Sequence, residues 1–226
     1  MRTVGIYCRL KVYASMTKTL ACRVIILFAS SSVAVVGHAN SKFVKSTIDG
    51  PRGQLLAVIE IPAGTTTKFE FRGDEKGFSA IEEDRQDLRK IDYLPYPGNY
   101  GFIPGTCQFT TAGGDGDPLD VLVIMDPLAV GSTIPIIPIA LLHLKDGGED
   151  DHKLIAIPAD VNQQTIKLND FGETDIRITA AFQIIESWFL NYKRNGGVIS
   201  KGWGFDVEEI LLKHTAAEKI PKEECY

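Results

Sequence analysis

The chain has 226 residues, 44% hydrophobic and 23% charged, enough to bury the core of one ordinary domain. Those proportions exclude a wholly disordered chain, a collagen and a small disulfide scaffold. Lys and Arg number 24 against 29 Asp and Glu, and the balance is uneven: residues 1–39 carry five bases and no acid, whereas the remaining 187 hold 19 bases against 29 acids. A body that acidic is a poor partner for nucleic acid, whose phosphates need clustered Lys and Arg, and suits metal cations better.

The first segment in chain order reads as a leader. Val24–Val36 is uncharged, Lys18 and Arg23 precede it, and Gly37-His38-Ala39 supplies a small-x-small site. Basic, apolar and small-residue regions in that order predict a secretory signal peptide over residues 1–39 and export of a single mature domain, residues 40–226. Met16 offers an alternative start. The rival readings are a mitochondrial transit peptide, disfavoured by the long uncharged run, and a cytoplasmic chain. The apolar run is too short for a stable membrane anchor. Cys8 and Cys22 leave with the leader. Cys107 and Cys225 then either pair with one another or stand as two unrelated thiols.

The mature chain reads as strands first and helices last. Leu55–Ile61 is a strand candidate with Glu60 set in an apolar run. Lys68-Phe69-Glu70-Phe71 alternates, placing Lys68 and Glu70 on one face and the aromatics on the other. Residues 72–92 are dense in charge, and Tyr96–Gly101 is rich in turn formers. Leu119–Met125, Ile134–Leu144 and Lys153–Ile157 are β-prone, although Pro135 and Pro138 push the second toward an edge or a bulge. Asp175–Tyr192 has apolar residues at helical spacing, and Val207–Lys219 reads as a second amphipathic helix. The pattern predicts a mainly β protein with α+β character, a small barrel or sheet flanked by two C-terminal helices.

Carboxylates carry the chemistry. Asp115, Asp117 and Asp120 fall within six residues of a Gly/Pro loop that enters an apolar strand. Three carboxylates so close repel one another, and a cation relieves them. Oxygen ligands select hard ions: Mg²⁺, Mn²⁺ or Ca²⁺. Asp146-Gly-Gly-Glu149-Asp150-Asp151-His152-Lys153 is a second acidic cluster. The plainer reading of such loops is a solvated turn. An EF-hand starting at Asp115 fails, because Leu119 and Asp120 occupy its fifth and sixth positions, where a ligand and a glycine belong. His143, His152 and His214 have no partner at ligand spacing and read as structural. No G-x-S-x-G, P-loop or G-x-G-x-x-G motif is present.

The segments IEIPAG, KFEF, YLPYPGNYGFIPGT, DGDPLDVLV, DGGEDDHKLIAI and NYK follow in that order. This series resembles the soluble (family I) inorganic pyrophosphatases over about Leu55–Lys193. The resemblance implies an OB-like five-stranded closed barrel with the site at its mouth. It also implies Mg²⁺-dependent hydrolysis of pyrophosphate, with several ions per site and Mn²⁺ as a possible substitute, and a homo-oligomer, a hexamer over a dimer.

Residue by residue, Asp115, Asp117, Asp120, Asp146 and Asp151 match the family's metal clusters, and Glu60 and Glu70 match acids that bind or orient the metal shell. Lys68, Arg89, Tyr100, Lys153, Tyr192 and Lys193 match its phosphate-binding groups, and Asp117 its general base. Tyr96 matches the first of the two tyrosines in the family's turn segment. Arg85 is the alternative to Arg89. The family carries a further lysine shortly after its Tyr-Lys pair, and here the sequence departs from that pattern, running Arg194-Asn-Gly-Gly-Val-Ile-Ser-Lys201. The alternatives are a non-catalytic metal-binding OB-fold module and a Mg²⁺-dependent hydrolase of another phosphoanhydride.

Overall fold

Short apolar and β-branched runs, cut by Gly and Pro, favour strands over helices through most of the chain. The computed structural model describes residues 55–72, 77–80, 82–83, 87–167, 176–206 and Leu211, all within the unit Gly37–Tyr226. In chain order they form β1 (Leu55–Ile61), β2 (Phe69–Phe71), β3 (Phe78–Ala80), β4 (Glu82–Glu83), β5 (Asp87–Leu88) and β6 (Asn99–Phe102). A 3₁₀ turn at Thr110–Ala112 leads to β7 (Asp120–Val123), β8 (Thr133–Asp146), β9 (Glu149–Asp150) and β10 (Lys153–Pro158). Helix α1 (Ile176–Asn191) and β11 (Val198–Gly204) follow. The helix expected at 207–219 lies outside the described residues except for Leu211, which packs against the core.

Five strands pair in the order β1-β6-β7-β10-β8, and β8 returns to β1, so the sheet closes into an uneven ring. Closure removes the exposed edges of the barrel. The β7–β10 pair is parallel, and the other pairs in the ring are antiparallel. Strand β8 carries both prolines. Its register with β10 shifts between Ile155 and Ala156, opposite Ala140 and Pro138, so the predicted bulge is present.

The two apolar runs at β7 and β10 bury both of their faces. Val121, Val123, Leu154 and Ala156 join one core cluster, and Leu122 and Ile155 join the other. That split is the period-2 alternation of a strand sandwiched between two apolar layers. Helix α1 covers the second layer with Ile185, Trp188 and Phe189, residues spaced to share one helical face. Truncating a fully buried residue such as Ile155 to Ala is expected to cost about 2–5 kcal/mol.

The NYG turn is pinned from inside. Asn99 is fully buried, accepts hydrogen bonds from the Ala63 and Leu128 amides, and donates to the Asp126 carbonyl. Cys107 is also fully buried and is disulfide-bonded, while Cys225 lies outside the described residues. Among the described residues, no helix is long and apolar enough to cross a membrane.

Candidate active site

The acidic loop is held by its neighbour in sequence. The Gln108 amide donates to the Asp117 carbonyl at 2.8 Å, and the Gly116 amide donates to the Gln108 carbonyl at 2.9 Å. Thr106 Oγ1 accepts from the Leu119 amide at 2.9 Å and donates to the Ile103 carbonyl at 2.6 Å. Gly116 takes a φ of 85°, which few other residues adopt, and so turns Asp115 and Asp117 to one side. A Cβ at Gly114 would lie 2.4 Å from the Gln108 carbonyl oxygen, so that close approach also requires glycine. The Asp115 carboxylate accepts from the Asp117 amide at 3.0 Å and closes the turn.

These elements bound a cleft of about 200 Å³ lined, among the described residues, by eight carboxylates and three lysines. β1 contributes Glu60, and β2 with the residue before it contributes Lys68 and Glu70. Tyr100 comes from β6, and Asp115, Asp117 and Asp120 come from the loop and the start of β7. The β8–β10 hairpin supplies Asp146, Glu149, Asp151 and Lys153, while Tyr192 and Lys193 follow the C-terminus of α1. Of the thirteen residues expected from the sequence, twelve meet here. The other, Arg89, lines an adjoining cavity of about 780 Å³ that shares Lys68, Tyr192 and Lys193 with the cleft.

Arg89 is tied to the site through its backbone, since its carbonyl accepts from the Lys68 amide at 2.9 Å. Arg85 lies outside the described residues. Lys201 is exposed on β11 and lines neither cavity. Phe69, which alternation assigns to the face opposite Lys68, also borders the cleft. Tyr96 sits behind the site, its ring 5.2 Å from Tyr100 and 4.6 Å from Trp188. Glu149 of the second acidic cluster lines the cleft, and Lys90 and Arg194, next in sequence to Arg89 and Lys193, line the basic cavity. His143 and His152, which have no partner at ligand spacing in the sequence, meet edge to face with ring centroids 4.8 Å apart.

Electrostatics reveal how crowded the cleft is. Burial pushes the Glu60 carboxyl up to about 8, and Asp120 and Glu70 push the same way, against a 2.7 Å hydrogen bond from the Phe71 amide and the charge of Lys68. Asp115 rises to about 6, chiefly by burial, with Asp117, Asp120 and Asp151 adding repulsion. Asp117 and Asp120 are raised as well, again with burial first. Burial alone would lower the Lys153 ammonium, but its ion pairs with Asp120 and Asp151 outweigh that and raise it. Lys193 pairs with Asp146, yet burial and the charges of Lys68 and Arg89 hold its pKa down. Burial lifts the Tyr192 hydroxyl to about 12 and keeps Tyr100 protonated, so both are hydrogen-bond donors at neutral pH.

Among the described residues, no three carboxylates close on a single point. Lys153 and Lys193 occupy the gaps between them. The donor set still fits hard divalent cations. It is all oxygen, it exceeds its lysines more than twofold, and burial together with mutual repulsion raises its carboxyl pKa values, which bound cations would reverse.

A family model described as inorganic pyrophosphatase matches residues 57–224. The chain belongs to the inorganic pyrophosphatase family. Among the inorganic pyrophosphatases it resembles, that of Sulfolobus acidocaldarius is 44% identical over 159 residues, 67% of this chain and 82% of that one. Inorganic pyrophosphatase 1 of Pseudomonas syringae is 40% identical over 156 residues, covering 66% and 81% of the two chains. The crystal structure of the Thermus thermophilus inorganic pyrophosphatase superposes with a TM-score of 0.58 at 28% identity, covering 79% of this chain and 96% of that one. The pyrophosphatase fold thus accounts for the uneven five-strand ring, and the cleft lies where the DGDPLD, YPGNYG and NYK segments meet.

Proposed function

We propose that the chain hydrolyses inorganic pyrophosphate to two phosphates, using divalent cations held in the acidic cleft, with Mg²⁺ the preferred ion. One observation carries the reading: a cleft of eight carboxylates opens onto a basic cavity, and Lys68, Tyr192 and Lys193 line both. The substrate carries about three to four negative charges, so it needs cations and donors on every side. Asp115, Asp117, Asp120, Asp146 and Asp151 would hold the metal, with Glu60 and Glu70 orienting its water shell. Metal bound there would neutralise phosphoryl charge and lower the pKa of water toward neutrality.

The remaining chemistry belongs to the chain. Lys68, Arg89 and Lys193 grip phosphoryl oxygens and absorb charge as the bridging bond breaks. Tyr100 and Tyr192 donate hydrogen bonds without ionising. Asp117 accepts a proton of the attacking water. Lys153 keeps Asp120 and Asp151 apart and in place. A non-catalytic metal-binding module would have no need of cations gathered on the far side of the carboxylates. The assay is phosphate release from pyrophosphate with Mg²⁺, with Ca²⁺ and in EDTA, against ATP and a sugar phosphate as competing substrates. Activity on pyrophosphate with Mg²⁺ alone is expected. Full activity in EDTA, or preference for ATP, would overturn the reading.

The same proposal includes export after cleavage near Asn40, supported by the acid-free leader and Gly37-His38-Ala39. N-terminal sequencing of the native protein decides it, and a start at Met1 or Met16 in a cytoplasmic fraction would refute it. The proposal also includes a homo-oligomer, supported by the exposed apolar side chains of Leu94 and Ile184, with a hexamer over a dimer following from the family resemblance. Light scattering reads its mass, and a monomer would refute it.

A further inference from the structure

Two segments carry most of the cleft's carboxylates: the loop that holds Asp115, Asp117 and Asp120, and the β8–β10 hairpin that holds Asp146 and Asp151. The parallel pairing of β7 with β10 fixes Asp120 directly, opposite Lys153. Asp115 and Asp117 precede that ladder and need other anchors to the hairpin. One is backbone: the Asp150 amide donates to the Gly113 carbonyl at 2.6 Å, beside a parallel bridge of Gly114 with Asp150. Another is a side chain: the His152 amide donates to Gln108 Oε1 at 2.7 Å. Asp151 sits between those two amides, and its own amide turns away, to the Leu144 carbonyl of β8 at 3.0 Å.

Gln108 is placed to join the two segments. It is buried, and its main chain is bonded to the acidic loop, its amide to the Asp117 carbonyl and its carbonyl to the Gly116 amide. Its side chain is bonded to the hairpin 44 positions later. It lines neither the cleft nor the basic cavity, so it acts on the site through its neighbours. Its Nε2 is buried with no hydrogen-bond partner among the described residues. An idle buried donor offsets much of what the Oε1 bond contributes to stability. The bond therefore decides where the hairpin sits more than whether the chain folds.

We propose that Gln108 is a positioning residue that sets Asp151 against Asp115 and Asp117, and so makes the cleft selective for Mg²⁺ over larger divalent cations. The inference rests on the pyrophosphatase reading above. Mg²⁺ demands near-octahedral oxygens at about 2.0–2.1 Å, whereas Ca²⁺ accepts irregular shells at about 2.3–2.6 Å. A hairpin released from Gln108 can still serve Ca²⁺ but loses the fixed spacing that Mg²⁺ requires. Groups that orient metal ligands from behind are worth about 10- to 100-fold in metal affinity.

The experiment uses the full chain without substrate. Calorimetry reads Mg²⁺ and Ca²⁺ affinity, and hydrogen exchange in EDTA reads the His152 amide. Four proteins are compared: wild type, Gln108→Leu, Gln108→Asn and Gln108→Glu. Leucine removes the acceptor at similar size, and asparagine keeps the amide but falls one methylene short. Glutamate, buried beside carboxylates, stays protonated and keeps one acceptor and one donor. Gln108→Leu and Gln108→Asn should each weaken Mg²⁺ about tenfold or more and leave Ca²⁺ within about threefold. Exchange of the His152 amide should quicken about tenfold, while the core amides of Leu154 and Ile155 stay protected. Gln108→Glu should stay within about threefold of wild type for both ions. Equal weakening of both ions, full Mg²⁺ affinity in Gln108→Asn, or a Gln108→Glu as weak as Gln108→Leu would overturn the inference. If Gln108→Leu fails to fold, Gln108→Asn decides on the same readings. Phosphate release by the wild type is the control: none from pyrophosphate with Mg²⁺ would instead overturn the pyrophosphatase reading beneath.

Discussion

Lys153 and Asp120 are register partners in the parallel pairing of β10 with β7, and their side chains form an ion pair inside the acidic cleft. Lys153 also reaches Asp151, two residues before it, so a single buried ammonium holds two carboxylates. Its position is fixed by the strand ladder, not by a loop, and its neighbours Leu154 and Ile155 are fully buried in separate core layers.

Removing this cation should therefore destabilise the protein before it affects chemistry. Lys153→Met keeps the stem and leaves two buried carboxylates uncompensated, at an expected cost of about 3–5 kcal/mol without metal. Divalent cation should restore part of that loss. Urea melts of both proteins, with and without Mg²⁺, provide the check. An unchanged midpoint in EDTA would show that the ion pair does not hold the cleft together.

The raised carboxyl pKa values give the metal-free protein a direction of pH dependence. Glu60 lies at about 8 and Asp115 at about 6 when folded, against ordinary values of 4.5 and 3.8. The folded chain thus binds more protons than the unfolded one, so stability is greatest below the ordinary carboxyl range and is lost as pH rises toward 8. In EDTA, Tm should fall by roughly 5 °C between pH 5 and pH 8, on the order of 2 kcal/mol. Glu60→Gln should flatten that slope, and saturating Mg²⁺ should reduce it. A Tm that climbs with pH in EDTA would contradict the crowding.

Arg89 and Arg85 were indistinguishable by residue type, and the fold separates them only in part. Arg89 follows β5, its carbonyl is bonded to the Lys68 amide, and it lines the basic cavity. Arg89→Ala should raise KM for pyrophosphate about tenfold or more, the loss of a charged hydrogen bond to phosphate. Arg85→Ala should leave KM within about twofold, as for a surface charge. Steady-state kinetics on the two variants decide the matter, and small, equal effects would remove both from phosphate binding.

What could be read from the sequence was contiguous. The DGDPLD loop, the YPGNYG turn and the Tyr192-Lys193 pair each place their chemistry within a few residues, and all three reach the cleft. Relations set by strand pairing could not be read. Nothing in the sequence shows that Lys153 faces Asp120 across 33 positions, nor that Arg194 meets Asp92 across 102. The basic cavity likewise joins three short runs, near positions 66–68, 89–92 and 192–196, that only the fold brings together. Asn99 is similar: its neighbours mark a turn, but its three hydrogen bonds to β1–β2 and β7–β8 connections are tertiary.

Asp117 is the residue on which the proposed chemistry turns. It lines the cleft, it is followed by Pro118, which fixes the backbone there, and its carbonyl is held by the Gln108 amide. Without metal its carboxyl sits above the ordinary range, through burial first and then repulsion from Asp120 and Glu70, with Lys68 opposing. Divalent cations in the cleft should draw that value down again, leaving an ionised base at neutral pH. Asp117→Asn keeps the shape and removes both charge and basicity, so kcat should fall by roughly 10²–10⁴. The fold should survive, because the change relieves repulsion among Asp115, Asp117 and Asp120. Tm in EDTA should therefore hold or rise while kcat collapses, a combination that a merely structural residue would not give. Asp117→Glu should retain more activity than Asp117→Asn, since a misplaced base is better than none. The measurements are kcat for both variants at saturating Mg²⁺ and a melting curve for each in EDTA. Near-normal turnover in a folded Asp117→Asn protein would take the base role from Asp117 and leave it as a metal ligand.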